Sequence, residues 1–437
     1  MKNKNTSIYH LDGVPPLKQA LPLALQHILA MFVGNVTPII IVAGVLGITQ
    51  ETKTELIQAT MLVAGLNTLI QNYTLGPIGA RLPVVVGTSF AFVPIAISIG
   101  LKYGYEGILG AALVGGIFEA FLGTFIKKIR SFFPSVVTGV IILSIGLSLI
   151  PVGIQNFAGG FGAKDFGSLE NLALGGIVLV TTVVLKQFGK GIVSTGSLFI
   201  ATVIGFIAAI FMGKIDLSPV VTAGVLSVPT PFKFGFTFHI DAILSMAVLY
   251  AASAIETLGD MTGVTLGGAG REITDRELSG GILADGFGGI IAAIFSILPT
   301  TTFSQNSGLV MMTGIMSRFI VGLGAGILIL SAFFPKFGAI LTIIPPAVLG
   351  GSLIVMFSMI AISGINLITK EPLKGRNAII VAVSIGLGYG FGAVPEGLKY
   401  LPETFKLIFG GTGLVLSGTI AILLNIILPE DKHEVIA

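Results

Sequence analysis

Two groups of residues in this chain carry side chains suited to chemistry. The first is Ser304-Gln305-Asn306-Ser307-Gly308, which continues through Leu309-Val310-Met311-Met312 to Thr313-Gly314. A carboxamide offers donors and an acceptor together, so Gln305 can read the mixed N–H/C=O edge of a heterocycle; a glutamate there would only accept. Asn306 can serve the same ligand or brace a broken helix, and Ser304 can cap one. The second group is Glu256 and Asp260 in Ala254-Ile255-Glu256-Thr257-Leu258-Gly259-Asp260. On a helix their i,i+4 spacing puts both carboxyls on one face. Carboxylates crowded together away from water repel, and a retained proton relieves the repulsion. The pair therefore suits proton coupling, or else a structural polar cluster satisfied by threonine hydroxyls or helix N-terminal amides.

Six further residues accompany these groups. His27, in Gln26-His27-Ile28, can relay protons, orient a carboxylate or make an interhelical hydrogen bond. Phe90, Ala91 and Phe92 follow Gly87-Thr88-Ser89, where free helix-opening N–H groups and a stacking ring could meet a flat ligand, or the rings could simply pack. Asp285, in Leu283-Ala284-Asp285-Gly286, is expected at the start of its segment, capping it or bonding neighbouring half-helices. Glu119 has no partner that the sequence names.

The elements that must position these residues lie in lipid. Of 437 residues, 53% are hydrophobic and 10% charged, with a mean hydropathy of +0.98. Soluble domains carry about 25% charged residues, so an ordinary cytosolic enzyme is excluded. A net charge of +3 gives no reason to expect a nucleic-acid partner. The chain has no cysteine, and His10, His239 and His433 lie near the termini or in a loop, so no metal cluster is expected. No G-x-x-x-x-G-K-[ST] run points to ATP, and no cofactor is expected. An ionisable side chain at a membrane-helix centre costs about 2.5–3.5 kcal/mol, so each one above should face protein or water. Met1 to Lys18 is polar and the apolar stretch 21–48 is too long for a signal core, so that stretch should remain in the mature protein.

About fourteen apolar segments of near-spanning length can be read, the twelfth over 338–364 and the fourteenth over 405–428. The third (84–99) and tenth (301–316) are short and follow Pro83 and Pro299, as half-helices after extended chain would. An even count puts both termini on one side. Sixteen of the 24 Lys and Arg residues fall on that side, which makes it the cytoplasm of an inner-membrane protein. The halves echo each other: Thr88-Ser89-Phe90 matches Thr301-Thr302-Phe303, and Pro134 to Gly139 resembles Pro346 to Gly351. Seven spans per repeat make the halves inverted, and paired interrupted segments mark a transporter's midplane site.

The run from Gln305 to Thr313 resembles the Q-N-x-G-x-x-x-x-T signature of the nucleobase–ascorbate transporter (nucleobase–cation symporter 2) family. Gln26-His27, Glu256 with Asp260, and Ala284-Asp285-Gly286 resemble that family in the same order. The resemblance covers essentially the whole chain. It implies an all-α polytopic fold of fourteen segments in a seven-plus-seven inverted repeat, with short strands before half-helices 3 and 10. Residues 21–133 and 241–336 would form a core domain, 134–240 and 337–428 a gate domain, and 1–20 and 429–437 cytoplasmic tails, typically in a homodimer. It further implies that Glu256 and Gln305 hold a purine base, with Phe90, Ala91, Phe92 and Asn306 lining the site. His27 and Asp260 would tune affinity and proton coupling; Asp285, Ser304, Gly308 and Thr313 would support the site. Gln rather than Glu at 305 resembles the xanthine/urate branch, and the small Ala91 leaves room for either purine. The expected function is proton-coupled purine import; uracil transport, an anion transporter of the sulfate/bicarbonate group, and an intramembrane enzyme are the alternatives.

Overall fold

A computed structural model describes residues 8–129, 133–402, 405–406, 409 and 413–429. Helix α1 (Leu17–Val45) begins after Pro15-Pro16 and is buried over most of its length, so its apolar residues run all round it. Helix α2 (Gln50–Tyr73) is capped by Thr49, whose hydroxyl accepts from Thr52 N. Strand β1 (Val86–Thr88) follows, then a 3-10 turn at Phe90–Phe92 capped by Ser89 Oγ. Helix α3 (Val93–Ile129) joins the end of the expected third segment, whose first part is β1 and this turn, to the fourth in one run, broken at Gly104. There φ is 77° and ψ 176°, a conformation open to glycine. Next come α4 (Ser135–Phe157), α5 (Leu169–Phe188), α6 (Ile192–Thr195), α7 (Ser197–Phe211) and α8 (Ser218–Thr222).

The second half opens with α9 (Ile240–Gly263), extended by a π turn at Val264–Gly268, and α10 (Asp275–Ile294). Strand β2 (Thr300–Thr302) leads into α11 (Ser304–Thr313), so the expected tenth segment is a ten-residue helix. Then follow α12 (Arg318–Ala332), α13 (Pro335–Thr342), α14 (Pro346–Ile368), α15 (Gly375–Ala393) and α16 (Leu414–Ile427). Helices α12 and α13 meet at 87°. The sequence read 338–364 as one segment, but Pro345 and Pro346 divide it between α13 and α14, because neither proline can donate to a continuing helix. Among the described residues eight helices are long and apolar enough to cross a membrane, or nine if the bent pair is one span. The expected fourteenth segment, 405–428, is described only in part, and the expected tail falls outside the described residues beyond Pro429.

The two strands meet at the centre. They pair antiparallel, Val86 against Thr302, Gly87 against Thr301 and Thr88 against Thr300, and every residue in both is buried. A two-stranded ribbon has two open edges, and in lipid those edges need partners. Helices α1 and α2 supply them along β1 and also bond a β2 side chain. Thr88 N donates to Asn35 Oδ1 (2.8 Å), and Val86 N to Thr68 Oγ1 (2.9 Å). Asn72 Nδ2 donates to Val84 O (3.0 Å), and Asn67 Nδ2 to Thr300 Oγ1 (3.0 Å). Around this centre helices approach closely through glycines. On the α4–α14 seam a methyl added to Gly146 would stand 2.5 Å from Ala361 N. At the N-terminus Ser317 Oγ donates to Gly13 O (2.6 Å) and Arg318 pairs with Asp12, which straps residues 9–13 across the start of α12.

Candidate functional site

Three elements converge beside the ribbon: α9, β2 and the start of α11. Ser253, Thr257 and Asp260 lie on one face of α9 and meet the β2 threonines. Thr257 Oγ1 donates to Asp285 Oδ2 (2.5 Å) and lies 3.2 Å from Thr301 Oγ1 and 3.3 Å from Thr302 Oγ1. Ser253 Oγ donates to Thr301 Oγ1 (3.0 Å), and Thr301 Oγ1 to Asp285 Oδ2 (3.3 Å). Asp260 Oδ2 accepts from Thr302 Oγ1 (2.7 Å) and Ser304 Oγ (3.1 Å). Threonine is apt here, since a β-branched residue suits the strand and its hydroxyl reaches a buried carboxyl.

Helix α11 starts without a side-chain cap: Phe303 is the N-cap, and the Ser304 hydroxyl reaches across to Asp260 instead of capping. The helix therefore presents first-turn N–H groups and their partial positive charge at an open end. Gln305 is exposed at that end and has no hydrogen-bond partner among the described residues. Glu256, one turn before Asp260, is half-buried, and Ser304 also interacts with its carboxyl. A carboxamide, a carboxyl and free helix N–H groups together can satisfy a planar ligand carrying both donors and acceptors.

Asn306 turns the other way. It is buried, its Nδ2 donates to His27 O (2.8 Å), and it lies 3.2 Å from His27 Nδ1, so it ties α11 to α1. Phe303 fills the space between: an added methyl at Gly34 or Gly87 would stand 2.8 or 2.7 Å from its ring. Phe90 is buried with its ring edge-on to Phe357 of α14, 5.0 Å between centroids, and Phe92 packs at 4.8 Å on Tyr250 of α9. Ala91 between them is also buried. Around Gly308 an added methyl meets nothing within 4 Å, while Thr313 Oγ1 bonds Leu309 O (2.7 Å) and Gly314, at φ 68°, ends the helix.

Asp285 does not begin its helix. Helix α10 starts at Asp275 behind a capping box of Thr274 and Glu277, which leaves Asp285 in mid-helix, fully buried. The T-x-x-E spelling of that box was in the sequence. The sequence reading also passed over Asn35, Asn67, Thr68 and Asn72, which hold the ribbon edges. Their signal was polar residues recurring on one face of an apolar stretch. Of the residues singled out from the sequence, Asp260, Asp285 and Ser304 are linked through the β2 threonines, and His27 and Asn306 form a separate pair.

Residues 18–397 match the profile of the Permease family Xan_ur_permease. The chain belongs to the nucleobase–ascorbate transporter family. It is 37% identical over 443 residues to the xanthine permease XanQ of Escherichia coli, covering 98% of this chain and 95% of that one. To a xanthine permease of Bacillus subtilis it is 38% identical, covering 94% and 93%, and to a putative purine permease of Clostridium perfringens 39%, covering 98% and 95%. This family member also shares its fold with the anion transporter SLC26A9, at a TM-score of 0.62 and 14% identity, over 94% of this chain and 66% of that one. The transmembrane domain of the cyanobacterial bicarbonate transporter BicA aligns at 0.54 and 12% identity, over 94% and 98%.

Proposed function

We propose that the chain imports a purine nucleobase, xanthine and/or urate, together with protons, by alternating access. The observation that carries this reading is Gln305: an exposed, unpartnered carboxamide at the open start of a broken helix, next in sequence to Ser304, which reaches the half-buried Glu256. The oxidised purines present alternating N–H and C=O groups, which an amide and a carboxyl read together. Glu256 and Gln305 hold the base, the Phe90–Phe92 turn and Asn306 border it, and Asp260 and His27 tune proton coupling. The relatives named as xanthine and purine permeases support the substrate class.

The proposed architecture is fourteen spans in two inverted halves, a core of 21–133 and 241–336 moving against a gate of 134–240 and 337–428. It works as a homodimer in the inner membrane with both termini in the cytoplasm. Protonation of Glu256 from outside admits the base, and movement of core against gate releases both inward. Labelled xanthine uptake into cells expressing the chain tests this. Uptake should collapse with a protonophore, and unlabelled urate or xanthine should compete where uracil does not. Uptake that ignored the proton gradient and followed sodium would overturn the coupling. The fold shared with SLC26A9 and BicA favours an anion as second reading. The acidic pair at 256 and 260 opposes it by charge, and bicarbonate or sulfate uptake without purine uptake would establish it.

A further inference from the structure

Glu119 lies in mid-α3, wholly buried, and neither of its carboxyl oxygens has a hydrogen-bond partner. A lone carboxylate in that setting is costly, by several kcal/mol after relaxation. Its surroundings are set by a glycine seam between α3 and α10. A methyl at Gly116 would stand 2.8 Å from Gly286 O, and one at Gly286 2.6 Å from Gly116 O, so the two backbones touch. Glu119 lies one turn on from Gly116, and Asp285 directly precedes Gly286. The seam thus brings the two acids side by side, with Ser253 of α9 next to them.

Asp285 carries the complementary defect. Its Oδ2 receives the Thr257 and Thr301 hydroxyls, with Ser253 Oγ 3.5 Å away, but its buried Oδ1 has no partner. The titratable or polar groups facing Glu119 are Asp285 from α10 and Tyr250 and Ser253 from α9. The Tyr250 hydroxyl is spent on Ala112 O (3.0 Å). Among the described residues no salt bridge engages either acid. Of the four oxygens of these two neighbouring carboxyl groups, three have no partner and no cation is beside them, and one proton held between them relieves both the repulsion and the open acceptor on Asp285.

We propose that Glu119 is a positioning residue that holds a proton shared with Asp285, donating its O–H to Asp285 Oδ1. The shared proton keeps Asp285 an acceptor for Thr257 and Thr301, and those hydroxyls hold β2 and, through Thr302, Asp260. Glu119 thus fixes the substrate-side carboxyl from behind the ribbon without touching the ligand. Its consequence for transport rests on the purine–proton reading above; the shared proton itself does not.

Infrared spectroscopy of the purified protein tests the proton directly. The C=O stretch of a neutral, buried carboxyl should be present near neutral pH, lost in Glu119→Gln and retained in Glu256→Gln. A Glu119→Gln spectrum identical to the parent's would overturn the inference whatever the chain transports. In uptake assays Glu119→Gln, which keeps a donor, should stay within about twofold of the parent with the same pH profile. Glu119→Leu fills the volume without a donor and should lose roughly tenfold or more in rate with a shifted pH profile, at equal protein abundance; the tenfold corresponds to about 1.4 kcal/mol. A Gln variant as impaired as the Leu variant, or a Leu variant with the parent's pH profile, would remove Glu119 from this role. If the infrared arm succeeds and purine uptake is absent, the proposed substrate falls and the shared proton stands.

Discussion

In the proposed reading, recognition turns most on Gln305, because an amide both donates and accepts while a carboxylate only accepts. Gln305→Glu should cut the initial rate of xanthine uptake at least tenfold, about 1.4 kcal/mol of lost recognition. Unchanged xanthine kinetics would take Gln305 out of the site. Glu256→Gln should separate binding from energy coupling: the amide can still hold the base but cannot carry a proton. The expected signature is xanthine that equilibrates across the membrane without accumulating, with no further effect of a protonophore. Accumulation at the parent's level would show that the proton travels elsewhere. The types of both residues were legible in the sequence. Their surroundings were not, because nothing local to residue 305 says that Ser304 reaches 44 positions back to Asp260.

At the scale of elements, the broken helix α11 is held by two different devices: Asp260 through Thr302 and Ser304 on one side, and Asn306 to His27 on the other. Asn306→Ala removes the side-chain tie to His27 O, which keeps its own bond within α1, a loss of about 0.5–1.5 kcal/mol. A lowered melting temperature in detergent and a raised KM for xanthine are expected, with the maximal rate changed less. A normal melting temperature would mean that α11 is fixed by Phe303 packing alone. Sequence patterning found α11 and β1 by their prolines and small polar residues, yet it placed Asp285 at a helix start. The apolar run begins near residue 281, but the helix begins with the polar turn Asp275-Arg276-Glu277, which hydropathy reads as loop. Capping chemistry, not hydropathy, sets that boundary.

At the scale of the whole molecule, close helix seams and surface ion pairs decide how the parts hold together. Gly364→Leu should disrupt the α4–α14 seam, where even a methyl meets Leu143 backbone. Reduced folded protein in the membrane and early thermal aggregation are expected, measured by fluorescence size exclusion. Lys214, after α7, pairs with Asp165 (2.8 Å) and Glu170 (2.7 Å) across the α4–α5 loop. The Lys214 hydrogen bond holds the Asp165 carboxyl below its ordinary range. The sign follows: the contribution is present above the unfolded value, about 3.9, and lost as pH falls through the lower folded value. Melting temperature should therefore fall less steeply below pH ~4 in Lys214→Met than in the parent. The difference should be small and fade in high salt, since the pair is open to solvent.

The sequence by itself determined that the chain lives in a membrane, where its broken segments lie, which polar residues pay for being there, and to which family it belongs. Those follow from composition, periodicity and local spacing, which are properties of neighbouring residues. Only the tertiary structure decided what each buried polar group bonds. Asp285 meets Thr257 and Thr301, Asn306 meets His27, and Glu119 comes to lie against Asp285, all between segments far apart in the chain. In lipid a polar group takes whatever partner the helix packing brings within reach. That packing is fixed by glycine seams and by a buried two-stranded ribbon, neither of which a local reading of the chain can assemble.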